Sequence, residues 1–341
     1  MKKSIAAIAA IIVIAGGLFC YNYYQRYYKA NSVKNDALIK IYRKTDYAGL
    51  LDSLSNGKVL RSVRSFEKAA AEMGLKENFK PGLYKVKGGL SNKAIVRMFA
   101  NGWQVPMDLP LKGYIRNDET MAGYLGARLE ADSTEFLAAM RDPELIGEFG
   151  FNKATILSIF LPDTYQVYWT VTPADFLRRM KKEYDTFWNK SRTDKAADIG
   201  LSKDQVMTLA SIVIEETKYE PEMPTVAGVY INRINRGIPL QADPTIKFAL
   251  NKPGITRILN QDLKIESPYN TYIHTGLPPG PITIAPKVAI DAVLNYKRHN
   301  YIYFCAKETF DGQHNFSETY SEHINNARAY HAALNAKKIT R

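Results

Sequence analysis

Between Ser202 and Thr217 the chain reads SKDQVMTLASIVIEET, a run that folds stably only as a helix packed on nearly every side, and it ends on two acids. Ser202 followed by Gln205 is a capping box, so the spacing predicts a helix running to about Thr217. At about 100° per residue, Gln205, Leu209, Ile212, Val213 and Glu216 share one face. Asp204, Thr208, Ser211 and Glu215 share the next, and Met207, Ala210 and Ile214 cover the side opposite Glu216. Only the stripe from Asp204 to Glu215 suits open water, which places this helix at the centre of its domain.

The two neighbouring acids face different surroundings. Glu215 lies on the polar stripe and is expected to remain a solvated carboxylate. Glu216 lies among Leu209, Ile212 and Val213, where desolvation penalises the charged form and raises the pKa. The negative end of the helix dipole pushes the same way. The plainer alternative is a helix that frays before Glu216 and leaves it in water. A carboxyl group kept neutral at pH 7 is the chemistry that protonates a leaving oxygen during glycosidic cleavage.

The N-terminus carries Lys2 and Lys3, then an uncharged run from Ile5 to Tyr21, with Arg26 the first basic residue beyond. That length just suffices to cross a bilayer, and it also fits a secretory signal peptide. A small-x-small cleavage site falls only at Ala15-Gly16-Gly17, inside the apolar run, and YNYYQRYY behind it has the make-up of an interfacial aromatic belt. Both points favour an uncleaved anchor. Cys20 follows Leu18-Phe19 and lacks the small residue that lipoprotein processing needs. Lys2 and Lys3 place the N-terminus inside, although Arg26 and Lys29 weaken the bias, so the bulk of the chain is expected on the extracytoplasmic side. With Cys20 in the anchor and Cys305 in an apolar run, no intrachain disulfide is expected.

A net charge of +12 permits an anionic partner, either lipid headgroup or cell-wall polymer. The basic residues are spread out, with no block that tracks a phosphate backbone, so nucleic acid is not an expected partner.

Behind residues 1–30, the anchor, the pattern divides at about residue 108. Residues 31–108 read as a small α+β unit with a faint repeat, in which 46–57 and 92–102 each form a short amphipathic helix closed by Asn-Gly. Ser65 to Met73 is a further helical pattern, and Pro81-Gly82 turns into a strand reaching Val86. Residues 109–341 form a larger mixed α/β domain. Helices are expected from Asp118 to Arg128, Thr134 to Met140, Thr172 to about Trp188 and Lys287 to Leu294, with a strand from Tyr301 to Ala306. Asn189 to Asp198 is polar and reads as a surface loop. The fold class is therefore α+β, with an N-terminal transmembrane helix and a central buried helix carrying the acid.

After Thr217 comes an amphipathic helix from Pro224 to Gly237, carrying Asn232 and Arg233. Leu240-Gln241-Ala242-Asp243-Pro244-Thr245 follows, with Asp243-Pro244 expected to make a turn and Gln241 and Asp243 to flank a groove. Amides, carboxylates and aromatic rings grip sugars, and PYNTY at 268–272 followed by GLPPGPI at 276–282 supplies them on a stiff backbone. The bland reading is a rigid connector. His274, His314 and His323 with Asp243 or Glu322 are conceivable metal ligands. No pair has the i, i+4 spacing of a zinc helix and no cysteine cluster exists, so neither a metal nor another cofactor is expected. No Gly-x-Ser-x-Gly elbow is present either.

The ordered motifs ASIVIEET, VAGVYINR, LQADPT, YNTY, GLPPGPI and HNF resemble the endolytic murein transglycosylases of the MltG, or YceG-like, family, over about residues 35–335. The resemblance implies a single-pass inner-membrane protein with a LysM-like small domain, of which Pro81 to Gly102 is the recognisable part. It implies internal cutting of nascent peptidoglycan strands, with cell-wall synthases as partners. Glu216 matches the catalytic Glu of the family motif, while Ile214 and Glu215 replace the family's first Glu and its Lys. The Glu-Gly that the family often carries is replaced here by Leu157-Ser158. Gln241, Asn232, Tyr269, Asn270, Asp243 and Glu222 are the expected substrate-binding residues. A glycan-binding scaffold without catalysis and a hydrolytic muramidase stand as the alternatives.

Overall fold

The computed structural model describes residues 2–252, 255 and 258–336. The chain divides into two compact units. The first runs to Leu109 and takes back Arg128–Ala131 and Gln166–Val171, and the second holds Pro110–Ala127, Asp132–Tyr165 and the chain from Thr172 onward.

The first unit begins with α1, Lys2–Tyr27. Its segment Ser4–Tyr27 is long and apolar enough to cross a membrane, and no residue of its most apolar 18-residue stretch is buried in protein. Strand β1, Ala37–Ile41, is followed by α2, Tyr47–Asn56, and α3, Val63–Glu72; β2, Gly82–Val86, then pairs antiparallel with β1, and α4, Asn92–Asn101, follows. Each helix starts where a short polar side chain takes up a free backbone N–H: Asp46 caps α2, Ser62 caps α3 and Ser91 caps α4. The two halves of the faint repeat are thus α2 and α4. Only the second ends in a left-handed glycine, Gly102 at φ 66°, whereas Gly57 closes α2 in a right-handed conformation. The apolar face of the ribbon, Ile39, Ile41, Tyr84 and Val86, packs on Leu50, Leu54, Phe66 and Phe99 from the three helices.

Strand β3, Pro106–Leu111, leads on to α5, Asp118–Gly126, α6, Ser133–Arg141, and α7, Pro143–Glu148. Strand β4, Asp163–Tyr168, pairs with β3, and α8, Pro173–Phe187, follows. The polar stretch expected as a loop is a helix, α9, Lys190–Asp198. Asn189 caps it, and Arg192 forms a bidentate ion pair with Asp291. Polarity there marks one solvated face of a docked helix.

The helix that carries both acids, α10, spans Lys203–Glu216, with its capping box formed and Thr217 as its extended C-cap. All residues from Val206 to Val213 are buried. It touches α9 and α11, Met223–Asn235, as well as α12, Asp243–Leu250, and α13, Lys287–Leu294, which makes it the hub of the second unit. The stripe expected to face water does not. Thr208 and Ser211 are buried, and the Ser211 hydroxyl donates to the Thr208 carbonyl (2.6 Å) while accepting the Ile282 N–H (3.0 Å). That contact pins the Gly276–Ile282 segment to α10. Strands β5, Tyr303–Ala306, and β6, His314–Ser317, form an antiparallel ribbon, and α14, Tyr320–Ala336, closes the described chain.

Candidate active site

Asp243-Pro244 is not a turn but the first step of α12, with proline in the first helical turn, where its missing N–H is harmless. The bend expected there lies two residues earlier, at Gln241, whose φ of 53° is left-handed. Thr271 holds this strained entry: its carbonyl accepts the Gln241 N–H (2.9 Å) and its hydroxyl accepts the Ala242 N–H (3.0 Å). The next residue, Tyr272, thereby comes to donate its hydroxyl to Asp243 Oδ1 at 2.5 Å.

Glu216, the last residue of α10, opens onto a cavity of about 310 Å³ lined also by Tyr230, Arg233, Gln241, Asp243, Tyr272, Tyr303 and His323. The acid is partly buried, and Tyr230 on α11 donates to its Oε1 at 2.5 Å. Burial raises the carboxyl from its ordinary 4.5 to about 7; the Tyr230 hydrogen bond opposes the rise, and the charge of Asp243 adds to it. Since Oε1 is taken by a donor, the proton of the neutral acid belongs on Oε2. Tyr230 itself is pushed well above 10 by burial and by the neighbouring carboxylate, so it stays a donor throughout.

Arg233, one turn beyond Tyr230, is buried yet has no carboxylate within ion-pair distance among the described residues. Its guanidinium donates to the Leu240 carbonyl (2.6 Å) and to Gln241 Oε1 (3.1 Å), lies over the Tyr303 ring and leaves Nε without a partner. His323 stacks on the same ring, with its Nδ1 also unpartnered. Burial, aided by the nearby Arg233 charge, lowers the His323 pKa, which favours a neutral imidazole.

Of the residues expected to bind substrate, the structure brings Gln241 and Asp243 together with Glu216. The other four do not line that cavity. Asn232 donates to the carbonyls of His299 (2.7 Å) and Tyr301 (2.9 Å). Fully buried Asn270 donates to the carbonyls of Leu263 and Ile265. Glu222 receives the backbone N–H of His314 (2.9 Å) and meets its ring at 2.7 Å. Tyr269 packs its ring on Phe248. Glu215 is not solvated either, since its side chain is only 10% exposed and forms an ion pair with Arg116. Tyr230, Arg233, Tyr272, Tyr303 and His323 were absent from the expected set. A signal existed for Tyr230 and Arg233, which are spaced i, i+3 on one helix face.

The profile of the YceG-like family matches residues 39–329. An endolytic murein transglycosylase of Bacillus subtilis is 26% identical over 340 residues, covering 95% of this chain and 93% of that protein. One of Streptococcus pneumoniae serotype 2 is 25% identical over 287 residues, covering 73% of this chain but 51% of its own length. A crystal structure of a YceG-like protein from Listeria monocytogenes superposes with a TM-score of 0.55 at 25% identity, covering 86% of this chain and 99% of the other. With the family profile spanning most of its length, the chain belongs to the YceG-like family.

Proposed function

We propose that this protein is a membrane-anchored endolytic lytic transglycosylase that cleaves the β-1,4 bond between N-acetylmuramic acid and N-acetylglucosamine in nascent peptidoglycan strands. The observation that carries the reading is the Glu216 carboxyl, held at about pH 7 by burial and facing a cavity rich in hydroxyl, amide and aromatic groups. The names of the relatives support it. Helix α1 would hold the protein in the cytoplasmic membrane, with the catalytic unit outside and the LysM-like small domain between. Cell-wall synthases are the natural partners of an enzyme that ends strand growth.

In the first step Glu216 donates its Oε2 proton to the glycosidic oxygen as the bond to C1 breaks. The carboxylate left behind, still receiving the Tyr230 hydrogen bond, then removes the proton of the C6 hydroxyl on the same muramic residue. Attack of that oxygen on C1 closes a 1,6-anhydro ring. The nucleophile belongs to the substrate, so no second catalytic carboxylate is required. An intramolecular attack of this kind can gain up to roughly 7–11 kcal/mol from effective concentration. Gln241 and Arg233, which line the cavity, would orient substrate carbonyl oxygens.

One observation favours a second reading. Asp243 lines the same cavity as Glu216, and a carboxylate across the bond is what hydrolysis by a muramidase uses. Mass spectrometry of the products from purified glycan strands decides between them. Ring closure leaves the summed product mass equal to that of the strand, and hydrolysis adds one water per cut. Anhydro ends support the proposal; reducing ends alone overturn it in favour of a muramidase, and uncut glycan in favour of a binding scaffold.

A further inference from the structure

A second cavity, of about 760 Å³, lies in the first unit where α1 ends, and its charged lining is entirely basic: Arg26, Lys29, Arg61, Arg64 and Lys68. Arg26 is engaged by Glu72, but the other four have no acid partner among the described residues. Two buried asparagines build the junction. Asn31 receives the Ser62 N–H on its side chain (3.0 Å) and the Arg61 N–H on its carbonyl (2.7 Å). Asn31 Nδ2 donates to Asn92 Oδ1 (2.7 Å), and Asn92 Nδ2 donates to the Arg26 carbonyl at the end of α1 (2.8 Å). Arg61, Arg64 and Lys68 thereby line the groove together with Arg26, one turn beyond Asn22 on α1, and Lys29 just past the helix end. The start of α3, capped by Ser62, adds the positive end of a helix dipole.

The level of this groove is set by the chain itself. From Ser4, an apolar helix needs about 20 residues to cross the hydrocarbon at 1.5 Å each, which brings the span out near Tyr23. Tyr23, Tyr24 and Tyr28 are exposed at that height, where aromatic rings favour the interface. The basic groove therefore lies at the level of the headgroups, where each basic residue gains from anionic lipid.

We propose that this groove is a binding site for the phosphate headgroup of an anionic membrane lipid. The site depends on α1 being retained as an anchor and is independent of the chemistry at Glu216. It fixes the first unit against the bilayer surface rather than leaving it tethered by a loose stalk.

The test uses the full-length protein in micelles of neutral detergent, titrated with short-chain phosphatidylglycerol, phosphatidylcholine or inorganic phosphate and read by native mass spectrometry. Saturable retention of phosphatidylglycerol, but not phosphatidylcholine, is expected, with no displacement by equal inorganic phosphate. The combined variant Arg61→Glu, Arg64→Glu and Lys68→Glu alters exposed side chains only and should weaken retention about tenfold or more. Lys44→Glu with Lys76→Glu, exposed on the same unit, should leave retention unchanged. Circular dichroism and cutting of soluble glycan are expected to be unaltered in both. Equal retention of the two lipids, an unaffected triple variant, or displacement by equal inorganic phosphate would each overturn the lipid site. So would an intact mass of the membrane-extracted protein that lacks α1.

Discussion

Tyr230 and Glu216 sit on successive helices, and the phenol donates to Glu216 Oε1 at 2.5 Å within the cavity that both side chains line. Burial favours the neutral acid, while the phenol favours the carboxylate. The balance leaves the group near pH 7, where it can both give and take a proton.

Replacing Glu216 with glutamine is expected to lower release of anhydro ends at least about 100-fold. The fold should become more stable at high pH. The folded-state pKa lies above the ordinary value of 4.5, so the native acid loses stability as pH rises from about 4.5 through about 7. The loss amounts to about 3 kcal/mol at higher pH, and the glutamine variant lacks it. Urea denaturation at pH 4 and pH 8 measures this difference.

Tyr230→Phe removes the one interaction of the pair that lowers the Glu216 pKa. The basic limb of the pH-activity profile should therefore move to higher pH, by about one unit for a charge-assisted hydrogen bond of this kind. Maximal turnover should fall, because the carboxylate needed for the second proton transfer loses its donor. Initial rates from pH 5 to pH 9 test both effects.

Arg233→Lys keeps the positive charge but loses the planar fork that reaches Leu240 and Gln241 together. The left-handed Gln241 backbone then loses side-chain support. Glycan cutting is expected to drop about tenfold or more, with a smaller change in thermal midpoint, and steady-state assays beside calorimetry separate the two.

Gly228→Ala should destabilise the second unit without touching the cavity. A Cβ there would lie 2.5 Å from the Lys297 carbonyl oxygen and 2.6 Å from His299 Nε2. Segment 297–299 would be lifted off α11, and the Asn232 hydrogen bonds to His299 and Tyr301 would stretch. A loss of about 1–3 kcal/mol in chemical denaturation is expected.

Local signals in the sequence were strong where one helix carried its own instructions. The capping box of α10, the Thr172 cap of α8 and the apolar run of α13 marked those helices to within a residue or two, and burial of Leu209, Ile212 and Val213 followed from periodicity. The polar stripe of α10 misled because its hydroxyls serve chain segments far away: Ser211 receives the Ile282 N–H, and Glu215 meets Arg116. No spacing rule connects such partners. Asn232, Asn270 and Glu222 show the same limit, since their polar atoms are matched to backbone groups, and to the His314 ring, brought in by tertiary packing. Gln241 and Asp243 were legible as exposed polar residues beside a proline, although the bend lies at Gln241 and Asp243 opens α12.

The central claim is that the Glu216 carboxyl carries a proton close to neutral pH. Titration of its side-chain carbon by NMR in 13C-glutamate-labelled protein, assigned by the signal missing from Glu216→Gln, measures this directly. A midpoint near pH 7 is the expected result; a midpoint at the ordinary glutamate value near 4.5 would contradict the account.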